Sequence, residues 1–193
     1  MAMLPDVHHM EQIETCCLEL INAGETLGAM EVAEILLALP GLPMHCPYHH
    51  FLLPAALLTA AHMGKHGSAE QLERDLKIAK ERAGAVPGGT CGQYGCCGAA
   101  IGVGIFVSIW QRATPLSKSG WAVGNAITAR CLNEIAGVEG PRCCKRVTYL
   151  SLRAAIPAIQ ELLAVDVGMF SAVHCRYHEK NRECRGTECP FFQ

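Results

Sequence analysis

The chain has 193 residues, half of them hydrophobic, which is enough apolar material for one sizeable core and fits a single domain better than two. Sixteen basic residues against eighteen acidic ones leave a formal charge of −2, so bulk electrostatics argue against a nucleic-acid partner and confine any anion site to a local cluster. The most apolar run, residues 99–110, falls well short of the roughly 20 residues a spanning helix needs, and no membrane partner is expected.

In chain order, the first residues, Met1 to His9, lack the basic-then-apolar pattern of a signal peptide, which predicts a cytoplasmic protein with reduced thiols. Periodicity then predicts a helix over 10–21, with Ile13, Cys17, Leu20 and Ile21 on one apolar face, and a second over 29–39 that stops at Pro40-Gly41-Leu42-Pro43. The apolar run 48–61 reads as a buried helix with Pro54 near its first turn or at a kink. Ser68-Ala69-Glu70-Gln71 matches a capping box, and the helix behind it carries a narrow stripe of Leu72, Leu76 and Ala79 under charged neighbours. A glycine-rich loop from Gly88 to Gly98 leads into the apolar helix ending at Trp110. A further helix carries Trp121, Ile127, Cys131 and Ile135, and a last long one covers 145–163 with Pro157 inside it. With no alternating strand pattern, the fold class is all-α, a multi-helix domain whose cysteine- and glycine-rich loops converge on one site.

Twelve cysteines are the chemical content of the chain, and nine of them lie in loops dense with Gly, Pro, His or basic residues. Disulfide frameworks belong to short exported domains with poor cores, so loop thiols here point to a soft metal or an iron–sulphur cluster. In Cys91-x4-Cys96-Cys97 the surrounding glycines let the backbone wrap closely around an anionic centre. Gly140-Pro141-Arg142-Cys143-Cys144-Lys145-Arg146 sets two thiols at a helix start among three cations, where thiolates of low pKa are expected. The bland reading of that basic run is a solvated helix end. Cys175-x8-Cys184-x4-Cys189-Pro190 ends in a ferredoxin-like Cys-Pro, although zinc held by those three thiols and His174 or His178 accounts for it equally. His45-Cys46-Pro47-Tyr48-His49-His50 adds three imidazoles and a thiol within six residues.

Adjacent cysteines diverge, so one of each pair is the expected ligand. The ligand set is then Cys46, Cys91, Cys97, Cys143, Cys175, Cys184 and Cys189, with Arg142 and Lys145 supplying charge beside the bound group. The remaining thiols of the two pairs, Cys96 and Cys144, are candidates to accept sulphur or resolve a bond, with His49 and His50 to move protons. Cys91, Cys97, Cys143 and at least one tail cysteine are expected to meet in space, whereas Cys16, Cys17 and Cys131 are expected to be packing residues.

The combination of Cys-Pro-Tyr-His-His followed by Pro-Ala-Ala-Leu-Leu-Thr-Ala, Gly-Gly-Thr-Cys-Gly, Gly-Pro-Arg-Cys-Cys-Lys-Arg and a Cys-Pro tail resembles an uncharacterised prokaryotic cysteine-rich domain family, over residues 44–193. Its members stand alone or follow methyltransferase-like modules, and the resemblance implies a shared site without an established activity. The leading expectation is an iron–sulphur protein, with a [4Fe–4S] cluster favoured, acting on a redox partner or on a small sulphur-containing or anionic substrate. The excess thiols and the nearby Arg142, Lys145, Arg146, His49 and His50 favour an enzyme over simple electron transfer. The rivals are a zinc-stabilised interaction module and a metal-free thiol oxidoreductase, the second weakened by the lack of a Cys-x-x-Cys motif.

Overall fold

A computed structural model describes residues 7–192, so the leader reading made on residues 1–6 lies outside the described residues. The described chain is all-helical. Helices α1 (Val7–Asn22), α2 (Ala29–Leu37), α3 (His49–Gly64), α4 (Ala69–Gly84), α5 (Thr90–Gln93), α6 (Gly98–Trp110), α7 (Ser119–Ala136) and α8 (Cys144–Leu163) precede a tail with two 3-10 turns, His178–Lys180 and Gly186–Glu188. Among the described residues there is no strand, and no helix is long and apolar enough to cross a membrane.

The core is built around α3, which is buried from His49 through Met63 on every face. A helix of 16 residues that is apolar all round must be enclosed by others, and α1, α2, α4, α6 and α8 all pack on it. Pro54 sits inside α3 and has no N–H to offer the carbonyl of His50, four residues back. At that freed carbonyl α6 crosses, and it does so on a glycine: a Cβ at Gly102 would lie 2.6 Å from the His50 oxygen and 2.9 Å from Pro54 Cδ. The other side of α6 packs on α7, where a Cβ at Gly104 would lie 2.5 Å from Thr128 Oγ1. Residues 99–109 are thus held between the helices that carry Leu57 and Ile127, as the apolar pattern requires.

The capping box forms: Ser68 Oγ accepts from the Gln71 N–H at 3.3 Å and Gln71 Oε1 accepts from the Ser68 N–H at 3.1 Å. The stripe behind it, Leu72, Leu76 and Ala79, is fully buried, and Ala83 extends it. Three details differ from the sequence expectations. α2 ends at Leu37, two residues early; a short α5 forms inside the glycine loop; and Trp121 is exposed while Ile127 and Cys131 are buried. Trp121 lies six residues before Ile127, about 240° around the helix, and so cannot share its face.

The two glycine contacts separate packing from helix propensity. Gly102→Ala should lower stability by about 1–3 kcal/mol in urea unfolding despite alanine's better propensity, because the new methyl meets backbone and a proline ring. Gly124→Ala on α7, whose Cβ would sit 3.8 Å from Val107, should instead leave stability unchanged or raise it by up to about 1 kcal/mol.

Candidate metal centre

Cys143 is the N-cap of α8, and its sulphur accepts the Arg146 N–H at 3.4 Å. It lines a small cavity together with Cys175, Cys184 and Cys189 from the tail, and Met44, Arg146, Tyr149, Tyr177, His178, Asn181, Arg185 and Phe191 complete the wall. Two tail thiols accept backbone N–H groups in the same way, Cys175 from Tyr177 and Cys184 from Gly186, each at 3.4 Å. Such a reach from two residues on requires a tight turn, and at Cys184 it is made with Gly186 in the left-handed region, φ +56°. Donors aimed at sulphur favour the thiolate over the thiol. Three of the four cavity sulphurs are therefore prepared by the backbone to carry charge.

The tail is fastened by side chains as well as by the main chain. Cys175 N–H donates to Phe191 O at 2.8 Å, and the Phe191 ring meets Tyr149 edge-on at 5.2 Å. Arg185 donates to Gly140 O at 2.6 Å and so holds the loop before α8 against the tail, while Arg146 donates to Pro141 O at 2.7 Å and ties that loop to α8. His45 links three segments: the Cys144 N–H donates to its Nδ1 at 3.5 Å, which leaves the proton on Nε2, 3.0 Å from both Asn181 Oδ1 and Glu183 Oε2.

Lys145 is buried, at 2% exposure, and the described residues place no carboxylate within ion-pairing distance of it. Its Nζ donates to Tyr48 Oη at 2.9 Å and stands 4.9 Å from the Tyr177 ring centre. Burial pulls its pKa down to about 8, and the charges that resist this are foremost the Cys144, Cys143 and Cys175 thiols. An ammonium taken out of water needs a nearby anion; around this one stand thiols that burial holds toward the neutral form, with the Glu34 carboxylate adding a smaller pull.

A second group of thiols gathers at the glycine loop. Cys97 is the N-cap of α6, where the Ala99 and Ala100 N–H groups pull its thiol pKa down; burial outweighs them, aided by the Cys91 and Cys96 thiols. His50 lies flat over the start of this helix: a Cβ at Gly98 would be 2.1 Å from its Nε2, so only glycine fits. His50 Nδ1 donates to Val86 O at 3.1 Å, and burial lowers its pKa, so the ring is neutral with its lone pair on Nε2. His49 is neutral for the same reason, its pKa well below the ordinary value; its Nδ1 donates to Cys46 O at 2.9 Å and its buried Nε2 has no partner.

Two sequence expectations change here. The thiols at the start of α8 do not have low pKa values: burial raises Cys143, and pushes Cys144 up to about 12 against the pull of the Cys46 N–H and Arg142. Desolvation of a lone thiolate outweighs a helix end and a partly distant cation. The basic run is also not a uniformly solvated helix end, since Lys145 and Arg146 are buried and only Arg142 is exposed. Cys143 lines the tail cavity with Cys175, Cys184 and Cys189, and Cys91 and Cys97 do not line it. His178 lines the tail cavity, whereas His174 is exposed and outside it.

Among the described residues, no group of three or more His, Cys, Asp or Glu side chains is arranged to hold a single metal ion. Tyr177 and Asn181 were not singled out by sequence, and His45 and Tyr48 only as members of the motif around Cys46. A roomier groove of about 460 Å³ between α6 and α7, edged by Trp121, Gly124 and Thr128, contains no cysteine.

The model of the family described as "Family of unknown function (DUF5714)" matches residues 13–192, and the chain belongs to that family. The match begins at Ile13, so it takes in the N-terminal helices that the resemblance over 44–193 left out. No curated protein and no solved structure matches the chain.

Burial divides the thiols of the metal-free, reduced protein by reactivity. Cys17 and Cys131 are fully buried and pushed up to about 12, which lowers their thiolate fraction by about three orders of magnitude. Timed iodoacetamide labelling at neutral pH, read by mass spectrometry, should modify exposed Cys91 first and Cys17 and Cys131 last.

Proposed function

We propose that this DUF5714 member is an iron–sulphur protein with a redox or sulphur-chemistry role, its cluster bound by Cys143, Cys175, Cys184 and Cys189. The observation that carries the reading is the single cavity bounded by those four sulphurs, three of which accept backbone N–H groups. Cysteine thiolates hold such clusters, and hydrogen bonds to sulphur are among the features that set their potential. The buried Lys145 supports the reading, because an anionic cluster supplies close counter-charge where the Glu34 carboxylate acts only from beyond ion-pairing distance.

The number of loop thiols favours a cluster over one ion, because nine loop cysteines are more than one tetrahedral zinc site consumes. A structural zinc site remains the second reading, favoured by one observation: the tail from Cys175 to Phe192 contains only two short 3-10 turns and needs something to fasten it.

In the redox reading, an external electron donor or acceptor changes the cluster by one electron and the protein supplies position and charge. Lys145 sits where it stabilises the more negative, reduced state, and Tyr48 holds the ammonium while passing its own hydroxyl proton to Pro43 O at 2.8 Å as a hydrogen bond. Arg142, exposed immediately before Cys143, is the cation we assign to an anionic partner or substrate.

Protein isolated without oxygen should be brown and contain iron and acid-labile sulphide, since sulphide-bridged iron has visible charge-transfer absorption that zinc lacks. Colourless protein with stoichiometric zinc after iron-replete expression contradicts this. Cys184→Ser should lose most of the metal and melt at lower temperature, because ligand binding and tail folding are coupled. Lys145→Gln should keep the cluster and lower its reduction potential, the sign expected when a positive charge is removed from beside it.

A further inference from the structure

We propose that the tail site has a positioning residue, Arg146, whose buried Nε–H is a charge-assisted hydrogen-bond donor to the metal-bound sulphur of Cys189. The assignment rests on the tail thiols holding a metal, as proposed above, and not on whether that metal is an iron–sulphur cluster or zinc.

Cys143, Arg146 and Tyr149 recur at every third position from the cap of α8 onward, so they lie along one side of the helix, and all three line the tail cavity. Arg146 is buried, at 5% exposure. Its Nη2 donates to Glu139 O at 3.1 Å and to Pro141 O at 2.7 Å, which anchors the outer end of the guanidinium on the loop before α8. Its Nε is buried and has no partner. Among the described residues no carboxylate lies within ion-pairing distance of Arg146, whereas Arg185, the other guanidinium in the cavity wall, is paired with Glu188 at 2.6 Å and with Glu139 at 3.5 Å. The Tyr149 hydroxyl is also buried and unpartnered, but it has the Glu34 carboxylate as a neighbour. Arg146 Nε–H is thus the donor on this side of α8 that has neither a bond nor a counter-charge.

The sulphurs show the complementary gap. Cys143, Cys175 and Cys184 each accept a backbone N–H at 3.4 Å, and among the described residues Cys189 accepts none. Cys189 and Glu139 line a common groove next to the cavity, so the loop that anchors the guanidinium borders the sulphur that lacks a donor. A buried N–H of a charged group is costly to leave unpaired, and a neutral thiol is only a weak acceptor. A metal-bound thiolate keeps lone pairs and negative charge, so the bond forms when the metal binds and draws the bound group toward α8. Each of the four sulphurs then has one N–H donor, three from the backbone and one from Arg146. The guanidinium charge acts in the same sense as Lys145 and favours the more negative state of the bound group.

The test uses the full-length protein, labelled with nitrogen-15 and loaded with cadmium-113, a spin-active ion that thiolates bind. The Arg146 Nε–H resonance, assigned by correlation to its own backbone, should move downfield on loading and split by coupling to cadmium through the sulphur. A loaded protein in which this resonance neither shifts nor splits, as when a trapped water takes the bond, overturns the assignment and leaves the metal reading standing. Arg146→Lys keeps the charge and has no Nε–H, and it should bind cadmium about tenfold more weakly. A folded Arg146→Lys with wild-type affinity overturns the positioning role; if that variant does not fold, the wild-type spectrum decides. If cadmium binds with the splitting but iron and sulphide assemble no cluster, the cluster reading fails and the Arg146 assignment stands. Protein that takes neither cadmium nor iron overturns both.

Discussion

Enclosure of α3 on all its faces is the constraint on which the rest of the structure depends. A helix with no solvent face fixes the positions of its neighbours, and the Pro54 defect fixes one of them closely by freeing a carbonyl against which only a glycine of α6 can lie. The first turn of α3 is the end that carries His49, His50 and the preceding Cys46, so the packing that builds the core also presents the amino-terminal ends of α3, α6 and α8 to one another. Cys46, Cys97, Cys143 and Cys144 lie at those ends. The cysteines that do lie along helices, Cys17 and Cys131, are core residues with raised pKa values.

In the proposed reading, charge is arranged for a bound metal or cluster. In the absence of one, burial keeps the thiols at the helix starts protonated, and it weakens the ammonium of Lys145. A metal or cluster reverses both: it takes the thiols as thiolates with release of protons, and the resulting negative charge holds Lys145 ionised. The N–H groups directed at Cys143, Cys175 and Cys184 act in the same sense, stabilising charge that only the bound state carries. The arrangement explains why a lysine is tolerated in the interior with a tyrosine hydroxyl and an aromatic face as its nearest companions.

Helix positions were legible in the sequence because the apolar stripes and breakers are strong, with the Ser68 capping box, the apolar α6 and the Pro40–Pro43 break as examples. The loops were legible as thiol-bearing, but not which of their thiols share a cavity. Sequence places Cys143 beside Cys144 without saying that one caps the helix and turns toward the tail while the other faces α6. Burial of Lys145 and Arg146 was hidden for a related reason: a basic run at a helix start reads as solvated until the tail is known to fold over it. The part played by His45 and Asn181 depends on contacts 136 residues apart, which no local pattern reports.

Metal-edge X-ray absorption of the protein isolated without oxygen tests the central claim most directly, that the thiols at the helix ends and tail hold an iron–sulphur centre. The account predicts an iron edge with an all-sulphur first shell and a second shell of iron scatterers. A zinc edge with one shell of ligands and no metal–metal scattering would contradict it.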